Sequence, residues 1–375
     1  MLTVNNSRLD RYEEFLRNGY LAGLTRGDEY DSSALSQTLV DRCRAGVFTR
    51  IVFTGMGCSA IVSEVIRGYF VAAGIPIDVV IVNGYEFDHI LPPSVLTDPT
   101  TLIVISSYSG YSQEPLIAFE RLLRFRDRVV LLTSGGALAE AGKRAGSSIL
   151  YWRLENPDRE YPLFHVTQYF AILLDAFSRL SMINGTHAAG LEQLARDLAE
   201  HPLVPHAERA RVVADQLFES NIVMIAPPLW HDSLLKLCKM HLNEIAMVPA
   251  TRNYLHEFCH SEVATLSDPE RTHSVIVLRD PDSDGYTQSK TENLVSILRR
   301  HDSSCDRADI NVVTIDLEGR TYLHKFFGAL RFVQELTLAL GRLRVVDSRD
   351  LISRTAGNPW YHSSTIDAER RQIAG

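Results

Sequence analysis

The chain has 375 residues, too many for one small core and enough for two domains of ordinary size. Its 45% apolar and 22% charged residues are those of a soluble globular protein, and its net charge of -8 argues against non-specific nucleic-acid binding, which needs a basic face. Five cysteines without C-x-x-C spacing suggest neither a disulfide framework nor a zinc knuckle.

The opening MLTVNNSRLD lacks a basic stretch followed by an apolar one, and no run of about 18 apolar residues occurs. The expectation is a cytoplasmic protein with reduced thiols and no membrane span. Residues 1–34 read as an N-terminal helical segment. RIVFTGMGCSA (Arg50 to Ala60) then reads as a buried strand entering a Gly-rich turn and a helix over Ile61 to Ala73. The runs IDVVIVNG, TLIVISSYSG and RVVLLTSGG follow, each ending in small or polar residues and most followed by a helical pattern. Strands that are apolar throughout and alternate with helices predict a parallel sheet covered on both faces.

A polar, helix-rich bridge over residues 184–218 leads to a second segment of the same plan. It comprises SNIVMIAPP, a helix from about Asp232 to Met247, a turn-like link VPATRNYL, then HSVIVLRDP and INVVTIDLEG. The amphipathic stretch YLHKFFGALRFVQELTLALGRL closes it, and the tail from Val346 reads as irregular. The expected fold is α/β, two tandem domains over 35–190 and 200–345, each a parallel sheet flanked by helices, with a tail over 346–375.

Ligands of such sheets bind beyond the carboxyl ends of the strands. There lies SSYSGYSQE (Ser106 to Glu114), in which Ser107, Ser109 and Ser112 offer hydroxyls, Gly110 allows a tight turn, and a helix begins. GMGCS (Gly55 to Ser59) and TSGG (Thr133 to Gly136) end neighbouring strands. Ser and Gly also make ordinary caps and turns. Three such clusters at successive strand ends favour an anion site. GMGCS is no dinucleotide fingerprint, because Ala60 stands where a third glycine is needed and no acid closes the next strand.

The stretch HLNEIAMVPATRNYLHEFCHSE gathers acids and imidazoles. Glu244 falls late in a helix, His260 follows sixteen residues later, and Glu257 shares a face with His260 if that piece is helical. Helix capping, metal binding and proton transfer all use such residues. HEFCH matches H-E-x-x-H with His256 and His260 as ligands and Glu257 as base, but it follows a proline-containing link in an α/β repeat. Neither a metal nor a cofactor is expected.

GMGCSA is similar to GMGGSA, with Cys58 replacing a glycine; SYSGYSQE is similar to SYSGNTEE; NEIAMVPATRNYLHEFCHSE is similar to NENAK-VPA running on to E-x-x-H-N-E. Over about residues 35–345 the chain thus resembles the sugar isomerase (SIS) domain family, most closely the two-domain bifunctional phosphoglucose/phosphomannose isomerases. The resemblance implies tandem SIS domains and a phosphorylated sugar held at Ser107, Ser109 and Ser112 with Ser59 nearby, and Gly57, Cys58, Thr133 and Glu257 as possible support. It implies that Glu244 moves a proton between C1 and C2, and that His260 assists ring opening from the neighbouring subunit of a homodimer. The implied reaction is aldose–ketose interconversion through an enediol.

The chemistry is consistent with those residue types. One carboxylate can take and return the proton, an imidazole with an ordinary pKa of about 6.5 suits ring opening, and nearby cations stabilise the enediolate. The cations are where the sequence departs: PDREYPLF puts Leu163 where an arginine is expected, and Lys325 is the last lysine. Arg159, Arg252, a tail arginine or His362 are the candidates to compensate. A catalytically weak sugar-phosphate sensor and a SIS-type eliminase or deglycase are the alternatives. Cys58, at a helix start, reads as a small filler or as a reactive thiol.

Overall fold

A computed structural model of the chain describes residues 8–153, 162–200, 204–267, 273–300 and 310–346. These form two compact units: residues 19–196, and residues 8–18 together with 197–346.

The first unit holds six strands: β1 (Tyr30–Asp31), β2 (Arg50–Gly55), β3 (Asp78–Asn83), β4 (Thr101–Ser106), β5 (Val129–Thr133) and β6 (Ser148–Trp152). Their order is β1-β6-β5-β4-β2-β3, with β2 to β6 parallel and β1 antiparallel on the edge. Every residue of the central strands β4 and β5 is buried, as expected for strands covered on both faces. Ile103, Leu131, Phe119 and Leu138 meet in the core on one side of this sheet. Burying each stabilises the fold by about 1.5–3 kcal/mol.

The second unit has β7 (Asn221–Ala226), β8 (Ala250–Tyr254), β9 (His273–Arg279) and β10 (Asn311–Asp316) in the order β10-β9-β7-β8, all parallel. The helix Arg8–Asn18 belongs here and packs on the long helix Tyr322–Leu343. Its buried Leu9, Tyr12 and Leu16 fall at spacings of three and four, one stripe of a helix. The α/β expectation of two parallel sheets flanked by helices is met.

Three local readings change. VPATRNYL is not a link: residues 250–254 are strand β8, with Ile222 opposite Ala250 and Ala226 opposite Tyr254. As an edge strand with only Ala250 buried, it carries no apolar run to announce it. The helix expected from Asp232 to Met247 is in two parts, a π-helical stretch His231–Leu235 and an α-helix Lys236–Glu244. Strands β1 and β6 add an edge that the apolar runs did not reveal.

Both sheets share one topological feature. From β2 the chain steps to β3 on one side and then to β4 on the other. From β7 it steps to β8 on one side and then to β9 on the other. Such reversals open a crevice at the strand ends, the usual place for a ligand.

Candidate functional site

In the first unit the crevice falls between β2 and β4. Gly55 lies opposite Ser106, and Ser106 opposite Leu132 of β5, so GMGCS, the serine loop and TSGG emerge side by side. They are also tied together. Ser59 Oγ accepts the Tyr108 N–H at 2.9 Å, and the Tyr108 carbonyl accepts the Ser134 N–H at 2.9 Å and its hydroxyl at 2.6 Å. The Gly110 carbonyl accepts the Leu138 N–H at 2.9 Å. Gly110 has φ +69°, and a Cβ there would run into the Gly135 carbonyl oxygen, so only glycine fits.

Beneath the loop, Ser106 Oγ and Tyr169 OH lie 2.9 and 3.0 Å from the Ser59 carbonyl and bond to each other. Trp152 stacks on Tyr169 at 4.8 Å, and Tyr108 meets Trp152 edge-on at 4.9 Å. Burial pushes the Tyr169 phenol up, keeping it neutral.

On this floor stand the serines read from the sequence. Ser107 is buried, Ser109 and Ser112 are half-buried, and Ser59 is half-buried across the crevice. Ser112 caps the helix Gln113–Leu122 without a side-chain capping bond, and Ser109 Oγ accepts the Tyr111 N–H at 3.3 Å. Gly57 and half-buried Cys58 open the helix Gly57–Ala73. Thr133 is buried with its hydroxyl on the Gly135 carbonyl at 2.9 Å, so it braces the loop. Hydroxyls and helix-start N–H groups converging on one crevice can hold a phosphate. Leu163 is a fully buried core residue of the turn Pro162–His165.

Glu244 and His260 belong to the other unit. Half-buried Glu244 ends the helix Lys236–Glu244, whose Leu237, Cys238, His241 and Leu242 are buried. His241 is fully buried with Nδ1 3.1 Å from Tyr12 OH, and burial drives its pKa down to about 3, so it is a neutral core residue. His260 is exposed beyond the four-residue helix Leu255–Phe258, its N–H donating to the carbonyl of exposed Glu257 at 2.8 Å. Glu257 and His260 therefore share a turn rather than a helix face. HEFCH likewise lacks the continuous helix its zinc reading needs, because the helix stops at Phe258.

The second crevice, between β7 and β9, is occupied by the protein itself. Pro227 and Pro228 follow β7, so two backbone donors are missing where the first unit has GMGCS. Trp230 Nε1 donates to Asp280 Oδ2 at 2.7 Å, and Lys325 Nζ bonds to Asp280 and Asp282. Side chains of Lys325 and Asp280 are only 4% and 8% exposed. A carboxylate thus sits where a phosphate would have to enter, and the last lysine is committed to it. Arg252 is committed too, to Asp232 at 2.7 Å and the His231 carbonyl at 3.1 Å. The His231 hydrogen bond, with help from Arg252, holds the Asp232 carboxyl well below the usual range. Arg159, His362 and the tail lie outside the described residues.

A cavity of about 410 Å³ lies elsewhere in the second unit, lined by Asp197, Arg209, Glu318, Arg320, His324 and Phe332 among others, and by none of the site residues read from the sequence. Sequence reasoning missed Tyr169 and Trp152, hidden in apolar runs, and the Trp230–Asp280–Lys325 cluster. The Pro-Pro pair after β7 was the available signal that this strand end differs from β2.

Residues 206–352 match the model of the bacterial phospho-glucose isomerase C-terminal SIS domain. The chain is 25% identical over 308 residues to the bifunctional phosphoglucose/phosphomannose isomerase of Thermoplasma acidophilum, covering 82% of this chain and 88% of that one. It is 25% identical over 295 residues to the same-named protein of Aquifex aeolicus, covering 78% and 84%. Among solved structures, the tagatose-6-phosphate ketose/aldose isomerase of Escherichia coli superposes with TM-score 0.63 over 92% of this chain and 95% of that one, at 16% identity. The C-terminal domain of the Francisella tularensis glucosamine-fructose-6-phosphate aminotransferase does so with TM-score 0.58 over 93% and 98%, at 10% identity. Residues 206–352 thus match a SIS domain, and over most of its length the chain is similar to sugar-phosphate isomerases. The relatives that it matches over most of their length are named bifunctional phosphoglucose/phosphomannose isomerases.

Proposed function

We propose that the protein is a cytoplasmic aldose–ketose isomerase of a sugar phosphate, built of SIS domains over 35–190 and 200–345 and working as a homodimer. The observation that carries this reading is the interlocked crevice at the ends of β2, β4 and β5, where Ser59, Ser107, Ser109 and Ser112 stand on one braced floor. The similarity to the bifunctional isomerases over most of the chain supports it.

In this reading the phosphate rests on those serines and on the N–H groups that Gly57, Cys58 and the helix start at Gln113 provide. Glu244 removes the proton from C2 of the open-chain aldose and returns it to C1, passing through a cis-enediol. His260 of the partner subunit exchanges protons between the ring oxygen and the anomeric hydroxyl, and Glu257 supports its turn. Thr133 holds the loop in shape.

A second reading, a sugar-phosphate sensor with weak chemistry, is favoured by one set of observations. Leu163 is core, and Lys325 and Arg252 are tied to carboxylates, so the cations expected beside an enediolate are not supplied by these residues. Turnover of aldohexose 6-phosphates, followed as ketose formation, separates the two. Turnover abolished by Glu244→Gln supports the isomerase; tight binding with no ketose from any aldose supports the sensor.

A further inference from the structure

His260 is carried by a short element. The helix Leu255–Phe258 is held to the core by Leu255 and Phe258, with half-buried Cys259 packed on the same cluster, and two backbone bonds to the Glu257 carbonyl, at 2.8 and 3.2 Å from His260 and Ser261, continue the turn. These apolar contacts fix where the turn sits, but they are non-directional.

His256 adds directional contacts. Its ring lies parallel to that of Tyr286, with centroids 5.8 Å apart and planes 17° apart, and meets Tyr254 edge-on at 5.5 Å. Its Nε2 is 3.4 Å from Thr287 Oγ1. Thr287 donates its own hydroxyl hydrogen to Asp284 Oδ2 at 2.7 Å, so towards His256 it accepts. Nε2 is thus the donor in this contact. Thr287 is buried, and Asp284 caps the helix Gly285–Arg299, so the anchor is rigid. Tyr254 ends β8 and also meets the His231 ring edge-on at 6.0 Å. Strand β8, the His260 turn and the start of the helix Gly285–Arg299 therefore converge on one imidazole.

We infer that His256 is a positioning residue, which sets the angle at which the His260 turn presents its imidazole for ring opening. The inference rests on the isomerase reading. His256 itself touches no substrate in this scheme. The zinc-like spacing of HEFCH is instead a holder and a presented group on one turn.

The test uses the full-length protein and two substrates, an aldohexose 6-phosphate, which must be opened, and a four-carbon aldose phosphate, which cannot close a five- or six-membered ring. His256→Ala is expected to lower kcat on the hexose about tenfold to hundredfold with KM little changed, the scale on which misplaced groups lose rate. The rate on the tetrose is expected to stay unchanged, and His256→Phe, which keeps the stack, to recover part of the loss. Equal losses on both sugars, or none, overturn the inference while leaving the isomerase reading intact. Wild-type protein inert towards both sugars removes that reading and this one with it. The imidazole resonance of His260 gives a check without substrate: it is expected to shift in His256→Ala, and an unmoved resonance overturns the inference whatever the kinetics.

Discussion

The side-chain oxygen of Ser59, at the start of one helix, accepts the backbone N–H of Tyr108, in the middle of the serine loop, at 2.9 Å. This bond joins the two walls of the first crevice. Ser59→Ala leaves that N–H without its partner, which costs about 1–3 kcal/mol when the group is buried. The expected result is a lower urea midpoint together with weaker phosphate binding by calorimetry. Ser112 makes no side-chain capping bond, so Ser112→Ala is expected to weaken phosphate binding while stability stays within about 0.5 kcal/mol.

Gly110 is the hinge of the same loop. With φ +69° and the Gly135 carbonyl in the way of a Cβ, Gly110→Ala must distort one of the two loops. Strain of that kind costs about 1–3 kcal/mol. Thermal unfolding is expected to fall accordingly and phosphate binding to be lost; an unchanged midpoint would show that the loop adapts freely.

Burial of His241 gives the second unit an acid sensitivity. Its pKa is about 3 in the folded protein, against an ordinary value of about 6.5 unfolded. Between these values the unfolded chain binds a proton that the folded one does not, so stability falls as pH drops below about 6.5, by up to about 1.4 kcal/mol per pH unit. Urea unfolding of wild type and His241→Phe across pH 4–7 checks this. The variant is expected to show a flatter dependence.

Lys325 and Asp280 form a buried pair. Removing one partner of such a pair costs about 3–5 kcal/mol, so Lys325→Met is expected to be severely destabilised. Asp282, 74% exposed, contributes at most about 1 kcal/mol, and Asp282→Asn is expected to unfold nearly as wild type does. Burial alone would lower the Lys325 pKa, but its bonds to Asp280 and Asp282 outweigh burial and raise it. The pair's contribution is therefore complete below about pH 10.4 and lost as pH rises through the folded value. Alkaline unfolding curves, flatter for Lys325→Met than for wild type, are the check.

How much of this was readable follows from how each element carries its information. Strands β2, β4 and β5 are nearly all apolar and end in Ser, Thr and Gly, so both the sheet and its crevice were visible in the sequence. Strand β8 was not, because an edge strand reading ATRNY buries only Ala250 and its signal is its pairing with β7. The burial of His241 carried no local signal, because it depends on what packs over the ring, here Tyr12 from 229 residues away. The Trp230–Asp280–Lys325 cluster joins residues 50 and 45 positions apart, a distance no local pattern spans. Glu244 and His260 were found through resemblance to a family.

The most direct test of the central claim is NMR of the protein in D2O with hexose and pentose phosphates, comparing wild type with Glu244→Gln. Enediol chemistry with Glu244 as base predicts deuterium at C2 of an aldose, or C1 of a ketose, with wild type and none with the variant. Clear binding of a sugar phosphate with no exchange by the wild type, or exchange that persists in Glu244→Gln, would contradict it.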